Sequence, residues 1–138
     1  MQALYSNFIG IDIGKSEFVS FLMNDDKTNT YKNNLYGFKS FFSDHKDVLP
    51  ESLIVLENTG GYEKACLEFL LKNNAFVHRA DTRKVKSFIR SFGQRAKTDI
   101  LDAKALSTYG YERQKNLALY EKPSKDQEGL KLLIERRQ

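Results

Sequence analysis

Residues 52–57, SLIVLE, form a continuous apolar run of strand length that ends on a carboxylate, Glu57. A run this short and this uniformly apolar suits a central parallel strand covered on both faces. Parallel neighbours need crossover connections, which commits the chain to sheet and helix layers. FIGIDI, residues 8–13, reads as a second buried strand, and it too carries an acid, Asp12, between Ile11 and Ile13. An unpaired carboxylate among Ile and Phe costs roughly several kcal/mol, so each acid needs a reason to be there.

The remaining elements follow from local patterns. GKS makes a tight turn into EFVSFLM, giving a hairpin with FIGIDI, and NDDK turns into TNTYKN, a more polar strand suited to a sheet edge. Phe38, Phe41, Phe42 and His45 recur at helical spacing, and Pro50 ends the loop that follows. After SLIVLE the NTGG turn leads into YEKACLEFLLKN, whose spacing predicts a helix with Tyr62, Ala65, Cys66, Phe69 and Leu70 on one face. AFVHRA is a short strand. DTRKVKSFIRSF is an amphipathic helix, with Val85, Phe88, Ile89 and Phe92 on its apolar stripe and Arg83, Lys86 and Arg90 opposite; Gly93 stops it. DILDAKALSTYGYER is the next helix. The order predicts an α/β fold: a mixed, five-stranded, ribonuclease H-like sheet with flanking helices.

We place a domain boundary at about residue 116. Beyond it, Pro123 breaks the chain, and Leu130, Leu133 and Ile134 start one further apolar stripe, read as a linker or coiled-coil helix. At 138 residues the chain makes one main domain. No apolar run approaches membrane-spanning length, and MQALYSNFIG lacks the basic and apolar regions of a secretory signal. Cys66, the one cysteine, excludes an internal disulfide and fits a reducing cytoplasm. His45 and His78 stand apart, which excludes a zinc site of ordinary spacing. Residues 79–97 hold seven bases and one acid, a local charge of +6 in a chain of net +4. So dense a basic block points to an anionic partner.

Asp99 and Asp102 lie three residues apart at the start of a helical pattern, on one face that Leu106 and Gly110 continue. In a ribonuclease H-like sheet the strands of Asp12 and Glu57 are neighbours, and the apolar part of the Asp99 face would bring all four acids together. Two carboxylates about 4 Å apart repel by roughly 4 kcal/mol at an effective dielectric of 20, so a cation must hold them or one must be protonated. All-oxygen ligands suit magnesium or manganese, and two such ions in the cage serve phosphodiester chemistry. Asp99 also reads as a helix cap and Asp102 as a first-turn acid favoured by the dipole. Lys15, Arg95, Lys97 and Thr98 are placed to hold a phosphate near the acids, and the amides of Gly60 and Gly61 to receive an anion.

GIDIGKSEF, LENTGGYEKAC and VKSFIRSFGQRAKTDILDAKALSTYG resemble the N-terminal domain of the DEDD transposases, insertion-sequence recombinases related to the pilin-gene invertases. The resemblance runs from about Phe8 to Arg113 and rests chiefly on the TGGY turn and the AKTD-x-x-DA-x-x-L segment. It implies a fold like the Holliday-junction resolvase RuvC and a catalytic, metal-binding set formed by Asp12, Glu57, Asp99 and Asp102. It further implies DNA as substrate, a structured guide RNA in the insertion-sequence members, and a homo-oligomeric full-length protein acting in a bacterial-type cytoplasm at the nucleoid. A second domain with a nucleophilic serine is expected beyond this chain, so complete recombination is not expected of this domain alone. Two other readings stay open from the residues. GIDIGKS resembles the phosphate loop of actin- and sugar-kinase-type domains, and the basic segment suits a non-catalytic nucleic-acid-binding or dimerisation module.

Overall fold

A computed structural model of the chain describes residues 5–91 and 99–121, with the backbone alone at 99–101. Three strands come first: β1 (Asn7–Ile13), β2 (Glu17–Leu22) and β3 (Lys27–Lys32). They form an antiparallel meander. Helix α1 (Leu35–His45) crosses to β4 (Ser52–Glu57), which pairs parallel with β1. Helix α2 (Lys64–Lys72) crosses to β5 (Phe76–Ala80), parallel with β4. The helices α3 (Thr82–Ser91) and α4 (Asp99–Arg113) follow. The sheet order β3-β2-β1-β4-β5 puts the apolar strands β1 and β4 inside the sheet and polar β3, none of whose residues is fully buried, at an edge.

Strand alternation divides the core into two layers. Ile9, Ile11, Ile13, Ile54 and Leu56 face one way, onto Phe38 and Phe41 of α1 and Cys66, Leu67 and Leu70 of α2. Phe8, Leu53 and Val55 face the other, onto Val85 and Phe88 of α3 and Leu106 and Tyr109 of α4. Asp12 and Glu57 share this second parity, at the C-terminal ends of β1 and β4.

Two positions differ from the sequence reading of α2. Tyr62 precedes the helix and is half-exposed, and Ala65 is exposed; Cys66, Leu67 and Leu70 form the buried face. The TGGY segment delays the helix, because Gly60 and Gly61 adopt φ values of +80° and +123°, which only glycine takes without strain. After α4 the chain runs along β5, where the Tyr120 amide donates to the Val77 carbonyl at 2.7 Å. Phe92, Gly93 and the apolar stripe beginning at Leu130 lie outside the described residues. Among those described, no helix is long and apolar enough to cross a membrane.

Candidate active site

Close contact between α4 and β1 builds the site. Gly10 has no side chain, and the α4 backbone occupies the space one would fill: a Cβ there would lie 1.9 Å from the Ala103 carbonyl oxygen and 2.6 Å from the Ser107 amide. Ala103, Ser107 and Gly110 give α4 a small-residue seam, and the Ser107 hydroxyl donates to the Phe8 carbonyl at 2.7 Å. Gly110 sits against Val55, Phe8 and Leu53. Thus α4 runs antiparallel to β1, and its first turn overhangs the strand ends that carry Asp12 and Glu57. Parallel pairing of Ile11 with Leu56 sets Asp12 beside Glu57 one step further along the register.

Asp12, Glu57 and Asp102 consequently line one cleft of about 620 Å³. Each is half-buried at its wall, so the strand acids face the cleft while Ile11 and Ile13 point into the opposite layer. Lys15 from the β1–β2 turn and Lys86 from α3 line the same cleft, together with Thr59, Tyr62 and Thr82. Asp99 opens α4, but its side chain lies outside the described residues, as do Arg95, Lys97 and Thr98. Among the described residues, no three acidic, His or Cys side chains already converge at ion-binding distance. The donor set nonetheless fits a hard divalent cation, since the three acids offer only oxygen ligands.

Around the cleft the loop after Glu57 is tightly organised, and sequence reasoning missed how. Glu63 is fully buried. Its Oε1 accepts from the Thr59 amide at 3.2 Å, the Thr59 hydroxyl at 2.9 Å and the Gly61 amide at 3.1 Å. Its Oε2 lies 2.6 Å from the guanidinium of Arg79 on β5. Burial alone would raise the Glu63 carboxyl; the hydrogen bonds from its own amide and from Thr59 and Gly61 more than reverse this and bring it down to about 2.

This arrangement corrects two expectations. The Gly61 amide is occupied by Glu63 and the Gly60 amide by the Asn58 side chain, at 3.2 Å, so neither waits for an anion. Arg79, counted in the basic block, pairs inside the protein. The bases of α3 are exposed, but they diverge. Lys86 lines the acid cleft and Arg83 an adjoining groove that shares Asn58 and Thr82 with it. Arg90 turns back, its Nε donating to the Lys86 carbonyl at 3.4 Å.

Residues 9–138 match the DEDD transposase family DEDD_Tnp_IS110, described as Transposase. The chain belongs to this family. Membership makes it a protein of DNA recombination and favours that reading over the nucleotide-kinase one. The fold agrees: RuvC of Thermus thermophilus superposes with a TM-score of 0.53 at 13% identity, covering 81% of this chain and 98% of RuvC. T. thermophilus RuvC in complex with a Holliday junction substrate gives 0.54 at 11% identity and the same coverage. No curated protein matches the chain. The DEDD transposase fold here is thus RuvC-like: a mixed five-stranded sheet with flanking helices.

Proposed function

We propose that this domain cleaves and transfers DNA strands at the cleft of Asp12, Glu57 and Asp102, with Asp99 as the fourth acid and with divalent metal as cofactor. The observation that carries this is the meeting of acids from three separate elements in one cleft with Lys15 and Lys86. Carboxylates that share one cleft repel one another as they approach, and a cation would relieve the repulsion. Asp12, Glu57, Asp99 and Asp102 would hold two magnesium or manganese ions, which would supply Lewis acidity to the phosphodiester. Lys15 and Lys86 bind the phosphate, and Arg83 follows the strand along the adjoining groove. Such contacts position the backbone and carry little sequence information. Full strand exchange belongs, on this reading, to an oligomer of the full-length protein with a serine-bearing second domain and a guide RNA.

Calorimetric titration with manganese tests the metal assignment. Asp12→Asn, Glu57→Gln and Asp102→Asn are each expected to weaken binding by roughly tenfold or more, since losing one ligand charge removes at least about 1.4 kcal/mol. Each should also abolish magnesium-dependent cleavage of branched DNA. Native affinity in all three variants would assign the metal elsewhere. The basic rim has a separate signature. Replacing Lys15, Arg83 and Lys86 together by alanine should weaken DNA binding equally for unrelated sequences and flatten its salt dependence by a log–log slope of about 2–3. An unchanged slope would move the phosphate contacts to other residues.

A further inference from the structure

Tyr62 is displayed in a way the other cleft residues do not require. Tyr5, Tyr31, Tyr109 and Tyr111 each pack against another aromatic ring. Tyr62 lines the acid cleft with 49% of its surface exposed. Its backbone is fixed on both sides. The Asn33 side-chain amide donates to the Tyr62 carbonyl at 3.0 Å and to the Gly14 carbonyl at 2.9 Å, which ties the loop after Glu57 to the loop after Asp12. On its N-terminal side, Glu63 clamps the amides of Thr59 and Gly61. Just before it in the chain, Gly60 and Gly61 carry no side chains, and no described atom other than those of their chain neighbours lies within 4 Å of where a Cβ would stand. A large, half-exposed ring is therefore held at the wall of a charged cleft, with little backbone freedom left to lose on binding.

We propose that Tyr62 is a stacking surface for an unpaired nucleobase next to the phosphate that enters the cleft. The preferred substrate is then nucleic acid with an unpaired base at the reaction point, not uninterrupted duplex. The inference rests on the nucleic-acid reading above and adds a substrate class to it. Both faces of a base inside an intact duplex are covered by its neighbours, whereas an unpaired base offers a face to the ring. Stacking of this kind tolerates any base, because every base has a π-face. Lys15 and Lys86 hold the flanking phosphate, so the ring and the cations together select a strand that is both charged and locally unpaired.

The test uses the full-length protein with calcium in place of magnesium, and two DNAs that carry 2-aminopurine at the same position, unpaired in one and paired in the other. Tyr62→Ala is expected to weaken binding to the unpaired DNA by roughly 5- to 100-fold and to abolish the change in 2-aminopurine fluorescence, while duplex affinity stays within about twofold. Tyr62→Phe, which keeps the ring, should retain both the affinity and the fluorescence change. Equal weakening on the two DNAs, or full retention of affinity and fluorescence change by Tyr62→Ala, would overturn the assignment to Tyr62 while leaving DNA binding intact. A native protein that binds neither DNA would remove the nucleic-acid reading itself, and this proposal with it.

Discussion

Gly10→Ala is expected to destabilise the domain by about 3 kcal/mol or more, and to weaken metal binding in whatever fraction stays folded. The added methyl would meet the Ala103 carbonyl at 1.9 Å and the Ser107 amide at 2.6 Å. Both are backbone atoms of a hydrogen-bonded helix, so no rotamer change can make room. Either α4 lifts off the sheet or β1 bends. Lifting α4 opens the contact among Phe8, Val55 and Leu106, and it carries Asp102 away from Asp12 and Glu57. Stability and the site therefore fail together, which is unusual for a glycine in a strand.

Two other glycines calibrate the result. A Cβ at Gly14 would meet only the Glu17 carbonyl, at 3.4 Å, so Gly14→Ala should change the melting temperature little. At Gly110 the obstacle is the Val55 side chain at 2.7 Å, and alanine is the better helix former by about 1 kcal/mol, so Gly110→Ala should fall between the two. Thermal unfolding of the three variants, with manganese titration of those that fold, checks the order. A Gly10→Ala protein as stable as the native one would mean that α4 does not sit on β1 at this distance.

The seat of α4 was only half legible in the sequence. Apolar runs mark β1 and β4, and the spacing of Asp99 and Asp102 puts them on the face of Leu106 and Gly110. That spacing does not show Ala103 and Ser107 meeting Gly10, because a glycine inside FIGIDI reads equally as an ordinary strand residue. Tyr62 was misplaced for a different reason. It stands at helical spacing from Cys66, Phe69 and Leu70, and the periodicity takes no account of two glycines at positive φ that postpone the helix. Arg79 reads as one more base of the 79–97 block because charge density carries no burial. Its partner Glu63 lies on another element, beyond the reach of any local pattern. The phosphate-holding roles of Arg95, Lys97 and Thr98 are read from the sequence alone.

Glu63→Gln is expected to cost about 3–5 kcal/mol and to lower the melting temperature by roughly 10–20 °C, although Glu63 contributes no atom to the cleft wall. The amide would keep an oxygen for Thr59 and Gly61 but turn an NH2 group toward Arg79, leaving that guanidinium with a donor where it had a charge. Adding Arg79→Met should recover part of the loss, because no cation is then left without its partner. The native pair also sets an acid limit. The Glu63 carboxyl is held at about 2 in the folded protein, below its ordinary value of 4.5, so the folded state binds that proton less readily than the unfolded state. Its contribution is complete above about pH 4.5 and is lost as the pH falls toward 2. Denaturant unfolding of the native protein and of Glu63→Gln/Arg79→Met, from pH 7 down to pH 3, should show the native curve falling more steeply below pH 4.5. Parallel curves would mean that Glu63 is not held as its hydrogen bonds indicate. The loop from Asn58 to Tyr62 would then have to owe its shape beside Glu57 to its glycines and to Asn33.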